Sequence, residues 1–540
     1  MLTELARIPD TVQSIRVLRR AGLVPFPRVD EGIRSLRLVK QIGPIAGAAR
    51  MAALRDSSTV GLVDDRGELT FDELDRRSNA LARAWAGYGL DEGSVIAVLC
   101  RDHRGLVESM LAAGKLGARL LLMNTGFAKP QFSDVAERER VDALVYDQEF
   151  SGLLDAISPG RLSFLAWVDD SRGVGRDIPQ LEDLIASADD RQTPNPSKPG
   201  EMVLLTSGTT GTPKGAPRRV KSGLSAAQFL DRIPMRTNEC TVFGAPLFHA
   251  TGLSQFILSF ALGCTVVLRR RFEPEAALKA IQDNRGTDVV LVPTMLQRIL
   301  DLGDDVLRRY DTSSLRIIFC AGSALSPDLG NRAMKAFGDV LYNLYGSTEV
   351  SVATVATPED WRAAPGTVGK VPCGCRVALY DDNGNKITAP DMVGRVFVGS
   401  DLAFGGYTDG RNKEMIDGLL SSGDVGHFDS EGRLFIDGRD DEMIVSGGEN
   451  VFPVEVENLI AEHEGVVEAA VLGIEDKEFG QRLKAYVVPR DGSSLDADML
   501  KAYVKANLAR YKVPREVVFL DELPRNATGK LLRNKLAELG

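Results

Sequence analysis

The sequence predicts an α/β protein with a large N-terminal domain, built from mainly parallel sheets layered with helices, and a small α+β domain at its C-terminus. Three observations lead to this prediction. Short apolar runs, of the length of buried strands, alternate with helical patterns over residues 56–437. The chain has 540 residues, which is too many for one ordinary domain. Residues 438–540 carry a separate set of helix and strand patterns and have the usual size of one small domain.

The predicted elements follow one another in this order. Thr70 and Glu73 form a capping box, which predicts a helix that ends near Gly87. The predicted strands of the large domain cover residues 95–99, 143–146, 202–205, 241–245, 265–268, 289–292 and 317–320. The elements predicted for the small domain are helices over residues 454–463 and 497–508 and strands over residues 466–472, 483–488 and 517–520.

Residues 1–55 form an N-terminal extension of a different character. They contain ten Lys and Arg residues against four Asp and Glu residues, although the whole chain has a net charge of −10. Their apolar and basic residues alternate with helical spacing, which predicts basic amphipathic helices. Two interpretations remain open. The helices pack on the large domain and leave a basic face in water, which we favour, or they contact an anionic membrane surface.

The composition excludes several classes of protein. Contents of 44% hydrophobic and 26% charged residues are typical of a soluble globular protein, and the negative net charge argues against nucleic acid as a partner. The six cysteines have no zinc-binding or redox spacing, so we expect reduced thiols. No signal peptide is recognisable, and the longest apolar stretch, residues 253–268, is too short and too polar to span a membrane. We expect a cytoplasmic protein, with peripheral contact at the inner membrane face as the alternative.

Residues 206–215 predict a phosphate-binding loop. They follow the apolar run 202–205 and contain three glycines, four threonines, a serine and Lys214. Glycine lets main-chain N–H groups approach a ligand, and hydroxyl groups can surround phosphate oxygens. The loop is not a Walker A motif, because Lys214 lies between Pro213 and Gly215.

A second motif, residues 343–349, has the sequence Asn-Leu-Tyr-Gly-Ser-Thr-Glu. Tyr345 offers a flat ring on which adenine can stack, Thr348 a hydroxyl for a phosphate, and Glu349 a hard oxygen ligand for Mg²⁺. Residues 321–325 follow a predicted strand and are small, so their backbone can approach a ligand closely.

In this order, the motifs resemble those of the adenylate-forming superfamily, which includes acyl-CoA synthetases, peptide-synthetase adenylation domains and luciferases. The chain is most similar to bacterial medium- and long-chain fatty acid–CoA ligases, and the resemblance extends from about residue 60 to Lys530. It implies that a fatty acid is activated by ATP and Mg²⁺ as an acyl-adenylate and then transferred to coenzyme A, releasing AMP and pyrophosphate. It also implies a mobile small domain that rotates between the two steps.

The resemblance assigns a role to each motif. The nucleotide-binding residues would be Thr206, Ser207, Gly208, Thr209, Thr210, Gly211, Lys214, Gly322, Ser323, Ala324, Asn343, Leu344, Tyr345, Gly346, Ser347, Thr348, Asp424, Arg439 and Lys530. The catalytic residues would be Lys530, His249, Glu349 and Thr206, with Glu349 also binding the metal ion. Lys530 would bridge the attacking carboxylate and the α-phosphate. His249 would position or gate the reacting groups.

The remaining assignments concern the acyl group, coenzyme A and the hinge. The acyl pocket would be formed by Phe248, His249, Leu253 and Phe256, the loop that meets coenzyme A by Ser446, Gly447 and Gly448, and the hinge by Asp441. The apolar character of the helix after His249 favours a fatty acid.

Rival functions stay open at this point. A fatty acyl-AMP ligase that loads a carrier protein would share every nucleotide residue, although no insertion is evident between Gly346 and Gly438. An aryl-CoA ligase would differ only in its pocket. A scaffold without activity is disfavoured because Lys530, Glu349 and Asp424 are all present. A serine hydrolase is disfavoured because the motif G-x-S-x-G is missing. Whether the chain forms a homodimer is left open.

Overall fold

The computed structural model describes residues 8–24, 29–156, 161–169, 178–206, 214–218, 224–406, 412–446, 449–476, 480–526 and 529–539. Its strands are β1 (Val60–Asp64), β2 (Gly67–Thr70), β3 (Val95–Leu99), β4 (Arg119–Leu122), β5 (Ala143–Asp147), β6 (Leu162–Trp167), β7 (Met202–Thr206), β8 (Lys214–Arg218), β9 (Cys240–Phe243), β10 (Thr265–Val267), β11 (Asp288–Leu291), β12 (Ile317–Ala321), β13 (Leu341–Tyr345), β14 (Thr354–Ala356), β15 (Cys375–Tyr380), β16 (Lys386–Ile387), β17 (Gly394–Ser400), β18 (Met415–Ile416), β19 (Leu419–Phe428), β20 (Leu434–Arg439), β21 (Ile444–Ser446), β22 (Glu449–Val451), β23 (Val466–Asp476), β24 (Gly480–Pro489) and β25 (Glu516–Phe519).

Helices connect these strands. They are α1 (Ile8–Ala21), α2 (Val29–Arg55), α3 (Phe71–Gly87), α4 (Arg104–Leu116), α5 (Lys129–Arg138), α6 (Leu181–Ser187), α7 (Ala227–Leu230), α8 (Ala250–Ala261), α9 (Pro274–Asp283), α10 (Pro293–Leu300), α11 (Asp304–Leu307), α12 (Pro327–Phe337), α13 (Pro358–Ala363), α14 (Pro453–Ala461), α15 (Ala497–Asn507) and α16 (Arg533–Ala537). Short 3₁₀ turns cover Gln148–Ala156, Asp440–Glu442 and Arg510–Lys512.

Two mainly parallel sheets form the frame of the large domain. One has the strand order β14-β13-β12-β11-β9-β10-β1-β2, and its strands from β13 to β1 are parallel. The other has the order β6-β5-β3-β4-β7-β8 and is parallel from β6 to β7. Every residue of β3 and of β12 is buried, as expected for strands covered by helices on both faces. The predicted α/β fold is confirmed.

A third sheet completes the large domain and is antiparallel. It contains β16, β15, β17, β19 and β18 in that order, with β20 paired to β19. The apolar-run criterion does not identify these strands, because several of them mix buried and half-buried positions and carry glycine and polar residues. This sheet matters for the site because it holds Asp424 and Arg439 opposite each other on β19 and β20.

The small domain is α+β, with a five-stranded sheet that packs against α14 and α15. Its long β23–β24 hairpin is antiparallel, whereas β25 joins β24 in parallel. The predicted boundary after residue 437 falls within β20, which ends at Arg439 just before the 3₁₀ turn Asp440–Glu442.

The described part of the N-terminal extension packs on the large domain. Val17 and Leu18 of α1 are buried, and Arg20 donates hydrogen bonds to the carbonyl oxygens of Leu230 and Asp231. The basic residues of α1 are exposed to solvent. Within the described ranges, no helix has both the length and the apolarity needed to cross a bilayer. Membrane contact by the extension stays a prediction.

Candidate active site

A cleft with a volume of about 2770 Å³ lies where the large domain meets the small domain. We call it the cleft from here on. Most of the predicted site residues line it. They are Gly322, Ser323, Ala324, Asn343, Leu344, Tyr345, Gly346, Ser347, Thr348, Glu349, Asp424, Arg439, Lys530, His249 and Leu253. Residues from six segments of the sequence, around positions 249, 323, 346, 424, 439 and 530, are therefore brought to one place.

Sheet topology explains this convergence. The segments 321–325 and 343–349 leave β12 and β13, which are parallel neighbours, so both segments emerge at the same edge of the sheet. Gly346 is required there, because a Cβ atom at this position would lie 1.8 Å from the carbonyl oxygen of Ser351. Gly322 has a φ of 99°, which favours glycine.

Tyr345, Asp424 and Arg439 form a hydrogen-bonded group in the cleft. The Tyr345 hydroxyl donates to Asp424 Oδ2 at 2.5 Å, and Arg439 Nη1 donates to Asp424 Oδ1 at 3.1 Å. Burial, followed by the nearby Asp424 carboxylate, raises the pKa of Tyr345 well above its usual range, so the hydroxyl stays protonated. This arrangement holds a carboxylate where it can accept hydrogen bonds from a ribose.

Glu349 is the candidate metal ligand. The Ser347 hydroxyl donates to Glu349 Oε2 at 2.8 Å and orients the carboxylate beside the cleft. A carboxylate together with phosphate oxygens of a substrate is the donor set that Mg²⁺ prefers, so the residue fits this ion. When bound, Mg²⁺ would neutralise charge on the phosphates.

Lys530 is held by a tight turn that faces the large domain. Its backbone N–H donates to Asn526 Oδ1, and its carbonyl oxygen accepts from the Asn526 N–H, each at 2.9 Å. A Cβ atom on the adjacent Gly529 would lie 2.3 Å from Thr294 Oγ1 of the large domain. The Lys530 side chain is exposed and lines the cleft. Thr294 also lines the cleft, so this contact holds the lysine-bearing turn against the cleft wall.

His249 lies at the N-terminus of α8, where its ring packs on Phe248 with 4.4 Å between the ring centroids. Burial lowers the pKa of His249 to about 3, so the imidazole is neutral at ordinary pH. Its Nε2 has no hydrogen-bond partner among the described residues. A neutral ring of such low basicity suits a positioning role better than general-base catalysis.

Asp102 is a residue near the site that the sequence motifs do not reveal. It follows β3, is buried, and accepts a hydrogen bond from the backbone N–H of Leu247 at 3.1 Å. Burial raises the pKa of Asp102 to about 7. Its position just beyond the carboxyl end of a parallel strand is the signal that could have identified it.

The acyl side of the cleft differs from the prediction. Ala250, Ser254, Ile257 and Ala261 are half-buried, share one face of α8 and line the cleft. Phe248 and Phe256 do not line it. Phe248 is 5% exposed, and Phe256 is fully buried in the core, where its ring lies 4.3 Å from that of Phe260. Only the assignment of Leu253 and His249 to this wall agrees with the geometry.

Several predicted residues cannot be placed. Ser207, Gly208, Thr209, Thr210 and Gly211 of the phosphate loop, and Gly447 and Gly448 of the coenzyme A loop, lie outside the described residues. Thr206 and Lys214 face each other as the paired residues of β7 and β8 that border the loop, but their side chains are likewise outside the described part.

Of the predicted coenzyme A and hinge residues, only Ser446 and the backbone of Asp441 belong to the described part of the chain. Ser446 is buried at the end of β21, pairs with Gly480, and does not line the cleft. The backbone of Asp441 lies in the 3₁₀ turn Asp440–Glu442, while its side chain is outside the described part.

Ion pairs hold this turn on both sides. Arg395 of the large domain lies 3.3 Å from Asp440. Arg533, which is three residues after Lys530, pairs with Glu442 and with Glu457, each at 2.9 Å. The hinge turn is therefore linked both to the large domain and to the lysine-bearing segment.

Two family models match the chain: the AMP-binding enzyme over residues 49–408 and the AMP-binding enzyme C-terminal domain over residues 455–530. The chain belongs to the AMP-binding enzyme family. It is an enzyme of the AMP-forming CoA ligase class, with ATP, Mg²⁺ and coenzyme A as its reactants and metal ion.

Similar proteins cover nearly the whole chain. The indoleacetate–CoA ligase of Aromatoleum aromaticum is 32% identical over 91% of this chain and 96% of its own length. A feruloyl-CoA synthase from Amycolatopsis is 32% identical over 87% of this chain and 93% of its own length. The o-succinylbenzoate CoA synthetase of Bacillus subtilis, solved with its acyl-adenylate intermediate, has a TM-score of 0.79 and 28% identity, covering 91% of this chain and 97% of that one. The superfamily prediction is confirmed, whereas the narrower prediction of a fatty acid ligase is not.

Proposed function

We propose that this enzyme activates an elongated apolar monocarboxylic acid, a medium- or long-chain fatty acid in the first instance, and transfers it to coenzyme A. The observation that carries this proposal is the extent of the cleft. It runs from the nucleotide end along the face of α8 that holds Ala250, Ser254, Ile257 and Ala261. At 1.5 Å per residue, this face is about 16 Å long, and the cleft continues beyond it.

The two ends of the cleft suggest how the first step is carried out. Asp424 would accept hydrogen bonds from the ribose and hold the nucleotide, while Lys530 would supply positive charge between the carboxylate and the α-phosphate. The carboxylate oxygen attacks the α-phosphorus, a new P–O bond forms, and pyrophosphate leaves with the electron pair of the broken bond. The protein contributes alignment and charge stabilisation, not covalent chemistry.

The second step needs a different arrangement of the small domain. The thiol of coenzyme A attacks the carbonyl carbon of the acyl-adenylate, and AMP leaves. Ser446 lies away from the cleft in this arrangement. A rotation of the small domain at the Asp440–Glu442 turn would replace the lysine segment by the 446–448 loop, in keeping with the predicted hinge.

An aryl-CoA ligase is the second candidate. The names of the similar enzymes favour it, since they act on indoleacetate and ferulate. A compact ring system would occupy only the part of the cleft nearest His249, and would leave the wall around Ala261 without contact. A preference for aryl acids over fatty acids would support this candidate.

The experiment compares octanoate, palmitate, indoleacetate and ferulate as substrates of the purified enzyme with ATP and Mg²⁺, in the presence and absence of coenzyme A. We expect acyl-CoA and AMP, with the highest kcat/KM for a fatty acid. The highest kcat/KM for indoleacetate or ferulate would replace our proposal by the aryl candidate. Acyl-adenylate that accumulates in the presence of coenzyme A would favour an acyl carrier protein as the acceptor.

A further inference from the structure

Helix α2, in the N-terminal extension, is sharply bent. Gly43 interrupts its helical geometry with φ 82° and ψ 171°, and Pro44 follows. A positive φ of this size is accessible to glycine without strain, and proline cannot donate the hydrogen bond that a continuous helix would need. The bend therefore results from the Gly-Pro pair, and it divides α2 into two segments of different direction.

Close backbone contacts fix the angle of the bend. A Cβ atom on Gly47 would lie 2.8 Å from the backbone nitrogen of Val39, eight residues earlier, which is far closer than a straight helix allows. A Cβ atom on Gly114 of α4 would lie 2.7 Å from the carbonyl oxygen of Ile42. The first segment is thus folded back across the second and is held against the large domain.

The bend opens space inside the protein. Gly43 is buried, yet a Cβ atom at this position would have no described atom within 4 Å. Gly43 and Pro44 line the cleft, and so do Val39 and Ala48 on either side of the bend. Leu18, from the neighbouring α1, contributes to the same wall. The cleft thus continues from the face of α8 to the two helices of the extension.

Most residues of this wall are apolar, although Ser35 and Lys40 of α2 also line the cleft. Polar residues of the large domain line it as well, among them Glu92, Lys198, and the ion pair between Arg119 and Glu201. An alkyl chain that followed α8 past Ala261 would meet the apolar part of the extension.

We infer that helices α1 and α2 form the distal acyl-binding wall of the enzyme and that the bend at Gly43 determines the length of acid it accepts. This inference rests on the proposed function. The wall consists of residues that precede the match to the family model at residue 49.

The test narrows the cleft at the bend without touching the nucleotide end. Val39→Phe adds bulk to a half-buried residue that lines the cleft. Leu54→Phe is the matched control, since Leu54 is on the same helix, is 58% exposed and does not line the cleft. A contact change of one or a few methylene groups in an apolar pocket alters kcat/KM by roughly 10–200-fold. We expect Val39→Phe to lower kcat/KM for palmitate by at least about tenfold relative to octanoate, and Leu54→Phe to leave the ratio unchanged.

A binding measurement makes the inference independent of turnover. The dissociation constant of cis-parinarate, a fluorescent long-chain acid, is measured without ATP or coenzyme A for the wild type, Val39→Phe and Leu54→Phe, together with the midpoint of thermal unfolding. A weaker affinity in Val39→Phe alone, at an unchanged unfolding midpoint, supports the inference. Equal affinities, or an equal loss of kcat/KM for octanoate and palmitate, would overturn it.

The two proposals fail in different ways. If the wild type forms no acyl-CoA from any acid, the proposed function fails, while the binding comparison still decides on the wall. If the wild type forms palmitoyl-CoA and Val39→Phe does so with the same chain-length profile, the proposed function stands and the distal wall is refuted. A second variant, Ser35→Leu, repeats the comparison at another half-buried residue that lines the cleft.

Discussion

At the nucleotide end of the cleft, Tyr345, Asp424 and Arg439 stand on strands, whereas at the acyl end the lining side chains stand on the faces of helices. Tyr345 and Asp424 are fixed by the register of β13 and β19, and hydrogen bonds join them directly. Ile257 and Val39 reach the cleft only through the way in which α8 and α2 pack on the large domain. The comparison shows that chemistry shared by a family can rest on sheet topology, while selectivity rests on packing that each chain can alter independently.

The largest effect is expected from Lys530→Ala, at the nucleotide end. Removing the charge that bridges the two anions should lower the rate of adenylate formation by roughly 10²–10³-fold, as is typical for loss of one preorganised charge-stabilising group. Pyrophosphate exchange into ATP measures this step. Lys505→Ala, on the exposed side of α15, is the control. Adenylate formation at the wild-type rate in Lys530→Ala would contradict the assignment.

A change at the acyl end should alter the kinetics with the acid and leave the KM for ATP unchanged. Ile257 lines the cleft, so Ile257→Trp would place a larger side chain there and narrow the acyl end. This variant should have a kcat/KM for the preferred acid that is lower by roughly 10–200-fold, with the KM for ATP unchanged. Phe256→Leu is the contrasting variant, because its ring is in the core. It should lower the free energy of unfolding by roughly 1–3 kcal/mol and leave the order of preferred acids unchanged. If Phe256→Leu changed the ranking of acids by kcat/KM, Phe256 would have to be assigned to the acyl pocket.

Asp424→Asn should have the converse kinetic effect. A hydrogen bond to a charged group contributes about 1.5–3 kcal/mol, so the KM for ATP should rise roughly 10–100-fold while the KM for the acid stays the same. Asp437→Asn, on the adjacent β20 and paired with His427 at 2.9 Å, serves as the control outside the cleft. If both variants raised the KM for ATP equally, the cause would be a disturbance of the β19–β20 sheet and not the loss of a contact with the ribose.

The smallest effect on catalysis is expected from Asp288, at the start of β11 and therefore at the end of the parallel sheet away from the site. Asp288 is buried, and neither carboxylate oxygen has a hydrogen-bond partner among the described residues. Burial, followed by repulsion from Glu239, raises the pKa of Asp288 from its ordinary value of 3.8 to about 7.

The folded protein therefore binds a proton that the unfolded chain lacks between pH 3.8 and about 7, so stability falls as the pH rises through this window. Asp288→Asn should raise the free energy of unfolding by up to about 4 kcal/mol at pH 8, since each pKa unit corresponds to about 1.4 kcal/mol, and by little below pH 3.8. Denaturant unfolding at both pH values measures the difference. If Asp288→Asn stabilised the protein equally at both pH values, the Asp288 carboxyl group would not be the titrating group. The kcat of this variant should stay within about twofold of the wild type.

Tyr345 and Gly322 come together in the expected order because their signal is local. Both motifs follow strands of one parallel sheet, whose carboxyl ends meet at one edge. The roles assigned to these residues stay predictions. The predicted strands 95–99 and 317–320 agree with β3 and β12 to within one residue. The sequence motifs do not reveal Asp102, because its hydrogen bond with Leu247 joins residues that are 145 positions apart along the chain.

The acyl end is less predictable because the polar residues of α8 do not mark one face: Ser254 lines the cleft, whereas Gln255 and Ser259 are buried in the core. Periodicity identifies the helix but does not distinguish its core face from its cleft face, so the largest side chains, Phe248 and Phe256, were assigned to the wrong side. The bend of α2 has a visible Gly-Pro signal. Its direction, however, depends on close approach to Gly47 and Gly114, which only the folded structure shows.

Arg533 has a mechanical consequence for the two half-reactions. Arg533 joins Glu442 of the predicted hinge turn to Glu457 and the carbonyl oxygen of Val471, so the turn and the lysine-bearing segment form one connected unit. This unit contacts the large domain at two places, through Asp440 with Arg395 and through Gly529 with Thr294. The proposed rotation of the small domain would have to break both contacts. It would then be a concerted change, in which the lysine leaves the cleft as the predicted hinge turn changes conformation.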